Sequence, residues 1–256
     1  MAPDNDTQPL FALSDITAAL GLLSRLPVPV DAHRAIARSA HAAWAYPIAG
    51  LILALIAGCV AKISLTLGLS PSLAAILTLA TLTITTGALH EDGLSDTADG
   101  LWGGWNKSRR LEIMKDSRIG AYGVIALILA YLLRWQALTI IFDTSIWAAL
   151  IAVAMLSRAS IVPLMTLLPN AREAGLSQTV GRPTFNIAVT AMAIAALISL
   201  LLFQVKGLLL ILTAAIATAL CARIAKSKIG GQTGDILGAT QQISEIVMLL
   251  TLTAVL

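Results

Sequence analysis

Long apolar runs dictate what this chain can become. Stretches at about 44–63, 73–90, 122–141, 146–168, 186–203, 208–223 and 237–256 approach the roughly 20 residues that a helix needs to cross a bilayer. Only 12% of the 256 residues are charged and 57% are hydrophobic. A soluble domain carries about 25% charged residues, so this chain lacks the side chains for a polar surface. The expected fold class is all-α: a polytopic membrane helical bundle of about six to seven transmembrane helices. Residues 10–24 are too short to span comfortably and contain Asp15, which predicts an N-terminal interfacial or re-entrant helix. No repeat, low-complexity tract or linker divides the chain, and 1–256 reads as one integral-membrane catalytic domain.

Charge is distributed by topology. Segments 25–41, 91–121, 169–185 and 223–236 hold 13 of the 17 Lys and Arg residues. By the positive-inside rule these segments and the N-terminus face the cytoplasm. The opening MAPDNDTQPL is acidic and has no basic n-region, so it does not read as a secretory signal. There is no Lys/Arg block of the kind that binds nucleic acid. Cys59 and Cys221 both lie in apolar surroundings and suggest small buried hydrophobes rather than a disulfide framework.

The polar information is concentrated in HEDGLSDTADG, residues 90–100. Asp92, Asp96 and Asp99 recur at i, i+4 and i+7, which stacks three carboxylates on one helix face. Like charges so placed call for a cation, and hard carboxylate oxygens suit Mg²⁺ or Mn²⁺. Mg²⁺ is usually held by one or two carboxylates together with substrate phosphates. The Asp-x-x-Asp-Gly of residues 96–100 therefore predicts a diphosphate-metal site with Asp92, Asp96 and Asp99 as ligands. Gly93 and Gly100 are expected to let a phosphate approach the backbone. Lys107, Arg109, Arg110 and Arg118 follow on a short amphipathic helix and a turn, and are candidates for the phosphates. Asp116 beside Arg118 is a second-tier candidate, and His90 a less favoured contact or base.

A second cluster is GGQTGDILGATQQISE, residues 230–245. Gly231 and Gly234 are expected to offer backbone N–H groups to an anion at a helix N-terminus, with Asp235 completing a metal shell or orienting a hydroxyl. Glu245, Arg134 and Arg158 lie within apolar spans. Intramembrane charges need partners, and Arg158 is expected to pair with Glu245.

Five segments, LLSRLPVP at 22–29, AWAYPIAGLI at 43–52, ALHEDGLSDTADGLWGG at 88–104, RRLEIMKDSRIGAYG at 109–123 and GGQTGDILGATQQISE at 230–245, together resemble the cobalamin synthase family. These are the adenosylcobinamide-GDP ribazoletransferases, and the resemblance covers essentially the whole chain. The family often carries His at the place of Gln232 and Glu at the place of Gln242. The resemblance implies an Mg²⁺-dependent enzyme of the bacterial cell inner membrane, multi-pass, with its active site facing the cytoplasm. Its substrates would be adenosylcobinamide-GDP and α-ribazole or α-ribazole 5′-phosphate, and its products GMP and adenosylcobalamin or its 5′-phosphate. The catalytic set would be Asp92, Asp96, Asp99, Asp116 and Asp235. Partners are then the two substrates and the lipid bilayer, with no nucleic acid; self-association into a homo-oligomer is compatible with this reading. The Asp-x-x-Asp-Gly core is also similar to that of CDP-alcohol phosphotransferases, whose later acids do not align here. A cation transporter is the competing class, although the acids gather at one end rather than along a midplane path.

Overall fold

A computed structural model describes residues 11–256. The N-terminal decapeptide, including the segment read as lacking a signal sequence, lies outside the described residues. Among the described residues, six helical spans are long and apolar enough to cross a membrane: His41–Thr66, Ala121–Ile141, Ile146–Leu167, Phe185–Phe203, Val205–Ile229 and Gly234–Val255; the bent pair Pro71–Thr86 and Leu89–Gly103 makes a seventh if taken as one span. The α-helices in chain order are α1 (Leu13–Leu23), α2 (Ala32–Arg38), α3 (Tyr46–Thr66), α4 (Pro71–Thr86), α5 (Leu89–Gly103), α6 (Lys107–Ile113) and α7 (Ala121–Ile141). There follow α8 (Ile146–Ala159), α9 (Ile161–Leu167), α10 (Leu176–Val180), α11 (Phe185–Phe203), α12 (Val205–Ile229) and α13 (Gly234–Val255). No strand forms among the described residues. The chain is a multi-pass helical membrane protein.

Two faces of the spans have opposite neighbours. Ile125, Ile128, Leu129, Leu132 and Leu133 of α7 are exposed, as are Leu208, Leu212, Ile216 and Leu220 of α12; in a bilayer these contact lipid. Inward faces are small. Ala49, Gly50, Leu53, Ala54, Ala57 and Ala61 of α3 are buried, and a Cβ on Gly50 would collide with the Ala154 carbonyl of α8. Small residues allow such close helix approach where no hydrophobic effect drives association. The fourth span divides into α8 and α9 at Ser160. Pro163 has no N–H for the Ala159 carbonyl, which accounts for the break.

The second expected span, 73–90, is not one helix. Ser70 caps α4, Pro71 opens it, and Gly87 ends it at φ 62°. The Ala88 N–H bonds the Thr83 carbonyl and the Gly87 N–H the Ile84 carbonyl, the paired bonds of a Schellman end. Ala88 also lies at positive φ, and α5 departs at 88° to α4. The acidic motif therefore occupies its own helix. A second difference is at the end of the sixth span, expected at 208–223. Here α12 runs on to Ile229, with Lys226 and Lys228 in its last turn and Gly230 at φ 79° closing it. Basic side chains favour a helix C-terminus, where the carbonyls carry partial negative charge. Cys59, expected to be buried, is exposed, and Cys221 half-buried; both are free.

The N-terminal helix forms as expected, and Asp15 explains how it is held. The Asp15 carboxylate is buried and accepts bonds from Arg38 Nε at 2.6 Å, Arg38 Nη2 at 2.7 Å and Trp44 Nε1 at 2.7 Å. Arg38, counted in the sequence as a topological charge, thus pins α1 to α2 and the 3₁₀ turn His41–Ala45. Burial alone would raise the Asp15 pKa, but the bonds from Arg38, Trp44 and the Ala12 N–H outweigh it and hold the carboxyl below the usual carboxylate range. Because the folded pKa is depressed, the stabilisation is complete above about pH 4 and is lost as the pH falls through the folded value. Asp15→Ala should lower stability by about 3–5 kcal/mol at neutral pH. Thermal unfolding in detergent micelles measures this; an unchanged melting temperature would remove the anchoring role.

Candidate active site

Helix α5 is polar for an element inside a membrane bundle, and its contacts orient it. Gly93 meets α13 so closely that a Cβ there would fall 2.9 Å from the Asp235 carbonyl oxygen and 3.1 Å from Gly238 Cα. Glu91 reaches Arg134 of α7, and Asp99 reaches the start of the same helix. α5 therefore runs antiparallel to α7, from the bundle interior to the α7 N-terminus.

The three aspartates of the stripe have different surroundings. Asp99 is 8% exposed; its two oxygens accept the Gly120 N–H at 2.7 Å and the Gly123 N–H at 2.9 Å. These are donors that the first turn of α7 cannot satisfy internally. A Cβ on Gly120 or Gly123 would strike the Asp99 carboxylate, which is why glycine stands at both positions. Asp92 is exposed and Asp96 half-buried, and neither has a hydrogen-bond or ion-pair partner among the described residues. Asp96 stands among like charges: Asp92, Asp235 and Asp99 act on it repulsively and Arg172 attractively. The expected three-carboxylate metal set is not assembled, since no group of three or more His, Cys, Asp or Glu among the described residues is placed to hold a cation. Asp92 and Asp96 remain available, and two free carboxylates fit a magnesium ion whose other ligands are substrate phosphate oxygens and water.

A cavity of about 150 Å³ opens beside Asp92. It is walled by His90, Asp92 and Gly93 of α5, by Arg172 and the following loop, and by Thr233, Gly234 and Asp235 at the start of α13. Thr233 caps α13 by accepting from the Ile236 N–H and bonds Asp235 Oδ2 at 3.2 Å. Arg172 forms an ion pair with Asp235 at 3.0 Å and donates to the Leu111 carbonyl. Its Nε is buried without a partner among the described residues. Carboxylates, a guanidinium and a helix N-terminus on one wall make a site for an anion, with or without a cation.

Arg172 was not a candidate from sequence, where it counted only toward topology. It reaches the site because the Ala171 N–H bonds the Gln232 carbonyl and the Gln232 N–H bonds the Pro169 carbonyl, both at 2.8 Å. No local pattern signals a pairing between segments so far apart. That pairing also explains Gly231, whose Cβ would overlap the Pro169 carbonyl. Gly100 and Gly231 serve close packing instead of the cavity, Gly100 lying against the Met114 side chain, while Gly93 both packs against α13 and lines the cavity. Gly234 does line the cavity.

The four basic candidates on and after α6 do not line the cavity. Arg109 pairs with Glu112 at 2.9 Å, and Arg110 donates to the Lys228 carbonyl at 3.1 Å. Lys107 lies beside Gly230. Asp116 and Arg118 hold each other at 2.9 Å on the exposed turn, and the Arg118 guanidinium keeps the Asp116 carboxyl below its usual pKa.

The expected Arg158–Glu245 pair is replaced by another. Arg134, 1% exposed, approaches Glu91 and Glu245 at 3.3 Å each. Gln242 donates to Glu91 and Gln241 to Glu245, while Arg158 bonds the Ala154 carbonyl of its own helix. Arg134 is better sited because it stands on α7 between α5 and α13, whereas Arg158 is on α8.

Residues 15–253 match the model of the family described as Cobalamin-5-phosphate synthase. An adenosylcobinamide-GDP ribazoletransferase of Bradyrhizobium diazoefficiens is 47% identical over 244 residues, 94% of each chain. One of Mesorhizobium japonicum is 41% identical over 97% of this chain and 96% of its own. One of Azorhizobium caulinodans is 42% identical over 93% of this chain and 94% of its own. No solved structure matches the chain.

The different surroundings of the aspartates predict different costs. Asp99→Ala should lower stability by about 1–3 kcal/mol by orphaning buried N–H groups. Asp92→Asn and Asp96→Asn should leave the melting temperature unchanged or raise it, because they relieve repulsion. Thermal unfolding of the three variants decides this; equal destabilisation would show that all three carboxylates are structural.

Proposed function

The chain belongs to the Cobalamin-5-phosphate synthase family, and on that footing we propose that it is a magnesium-dependent adenosylcobinamide-GDP ribazoletransferase. It joins adenosylcobinamide-GDP to α-ribazole or its 5′-phosphate and releases GMP, the last assembly step of the cobalamin nucleotide loop. The observation that carries this reading is identity of up to 47% with ribazoletransferases over nearly the full chain, which takes in every element of the site. The site lies at the cytoplasmic rim of a bacterial inner membrane; the basic character of the segments around it supports that orientation.

A hydroxyl of the acceptor ribose attacks the phosphorus bearing the cobinamide arm. A new P–O bond forms, the bridging P–O bond breaks, and GMP departs with the second phosphate. The hydroxyl proton passes to a carboxylate of the site or to water. The work required of the protein is positioning and charge neutralisation. Arg172 is sited to hold a diphosphate oxygen, and the N–H groups at the start of α13 to receive another. Asp92 and Asp96 would hold magnesium, which when bound neutralises charge on the diphosphate. Asp235, already paired with Arg172, would keep that guanidinium aimed at the cavity. At about 150 Å³ the cavity is smaller than the roughly 300–1,000 Å³ that encloses a drug-sized molecule. It suits the diphosphate and not the corrinoid ring, which would remain outside.

Membranes carrying the protein, supplied with adenosylcobinamide-GDP, α-ribazole and Mg²⁺, should release GMP. Chelation should stop release and added Mg²⁺ restore it. Asp96→Asn and Arg172→Ala should each cut turnover by about 10²–10³-fold while the protein still inserts and elutes as a folded species. Near-normal GMP release in both variants would overturn the site assignment.

A further inference from the structure

An apolar groove of about 410 Å³ lies against the diphosphate cavity and has no part in the chemistry so far. It is formed by α1, α2, the 3₁₀ turn and α10, with Ala18, Gly21, Val30, Ala35 and Ile36 among its walls. Leu22, Tyr46, Leu176 and Val180 line both spaces, so the groove continues the cavity. No charged side chain lines it. Its two small hydroxyls are already committed, Ser39 to the Val180 carbonyl and Thr179 to the Gly175 carbonyl. Tyr46 is the exception. It is 2% exposed, and its hydroxyl has no hydrogen-bond partner among the described residues. Tyr46 lines both spaces, and its uncommitted hydroxyl is therefore open to a ligand held there.

We propose that this groove is the acceptor subsite and receives the benzimidazole base of α-ribazole, with the Tyr46 hydroxyl bonding the ribose or the free ring nitrogen. The inference rests on the reaction proposed above and assigns one of its substrates to a place. Polarity selects among the parts that must be accommodated. Guanine presents donors and acceptors along an entire edge, and walls with one free hydroxyl would leave most of them unpaired at a cost of about 1–3 kcal/mol each. The corrinoid is rimmed with amides and is larger than the groove. A dimethylbenzimidazole is a flat apolar bicycle with a single polar ring position, which matches walls of aliphatic side chains and one hydroxyl. Continuity with the cavity then brings the attached ribose toward the diphosphate bound beside Arg172.

Ala35 lies on α2 and lines the groove alone, so Ala35→Trp fills the groove without touching the catalytic cavity. The expected result is a rise of about tenfold or more in KM for α-ribazole, within the range that a misfitting apolar pocket gives. KM for adenosylcobinamide-GDP should be unchanged. Tyr46→Phe should also weaken α-ribazole selectively, and Ala35→Leu serves if the tryptophan variant fails to insert. Equilibrium binding of radiolabelled α-ribazole to the purified protein provides a readout independent of turnover. If the unaltered protein binds α-ribazole but releases no GMP, the reaction reading falls, and weaker binding in Ala35→Trp still supports the groove as the place where α-ribazole sits. If Ala35→Trp and Ala35→Leu bind α-ribazole as the unaltered protein does, the groove holds something else, such as a lipid chain or the first residues of this chain, and the proposal is overturned. A rise confined to KM for adenosylcobinamide-GDP would overturn it equally, by giving the groove to the donor.

Discussion

One buried guanidinium fixes the geometry on which the site depends. Arg134 stands on α7 inside the bundle and meets Glu91 of α5 and Glu245 of α13. In a low-dielectric interior each of these charges would be costly alone, and together they are tolerated only in contact. Separating α5, α7 or α13 would expose an uncompensated charge, so the three helices are held at one point. Gln241 and Gln242 extend the same network along α13 and to Ser157 of α8. The acid helix carries Asp92 and Asp96 on the stretch next to Glu91, while α13 carries Asp235 about three turns before its own anchor, Glu245. The ion cluster thus sets the separation between the two acidic walls of the cavity.

The second fixed point is Asp99. Sequence spacing makes it the third member of a metal stripe, and a helical face does join the three aspartates. What the spacing does not contain is the arrival of Gly120 and Gly123 beside the last of them. Once two backbone N–H groups bind both oxygens, that carboxylate acts as a helix cap. The other two, Asp92 and Asp96, stay unpaired among the described residues. The same division of labour appears among the glycines. Gly93 lets α5 cross α13 closely and also lines the cavity, whereas the Met114 side chain occupies the space above Gly100.

The cations illustrate how far local reasoning reaches. Lys107, Arg109, Arg110 and Arg118 follow the acid motif closely, but the seven-residue α6 and the turn after it place them beside Gly230, Glu112, the Lys228 carbonyl and Asp116. Arg172 comes from a segment that had no motif, delivered by two backbone bonds between the 169–171 strand of coil and Gln232. Arg38 moves the other way, from a loop charge to the anchor of the first helix.

Sequence alone determined the solvent of this protein and the two segments, 90–100 and 230–245, that supply the acids beside the cavity. Hydropathy over about 20 residues fixes which segments enter a bilayer, and a 3.6-residue period fixes which acids share a face; both are properties of contiguous chain. Family membership was legible for the same reason, because its motifs are short and uninterrupted. The tertiary structure decided which carboxylates are free, which arginine lines the cavity, and that the second apolar run breaks at Gly87 into two helices at right angles. Those outcomes depend on donors, charges and van der Waals surfaces brought from segments distant in the chain, and the spacing of residues along one segment holds no record of them.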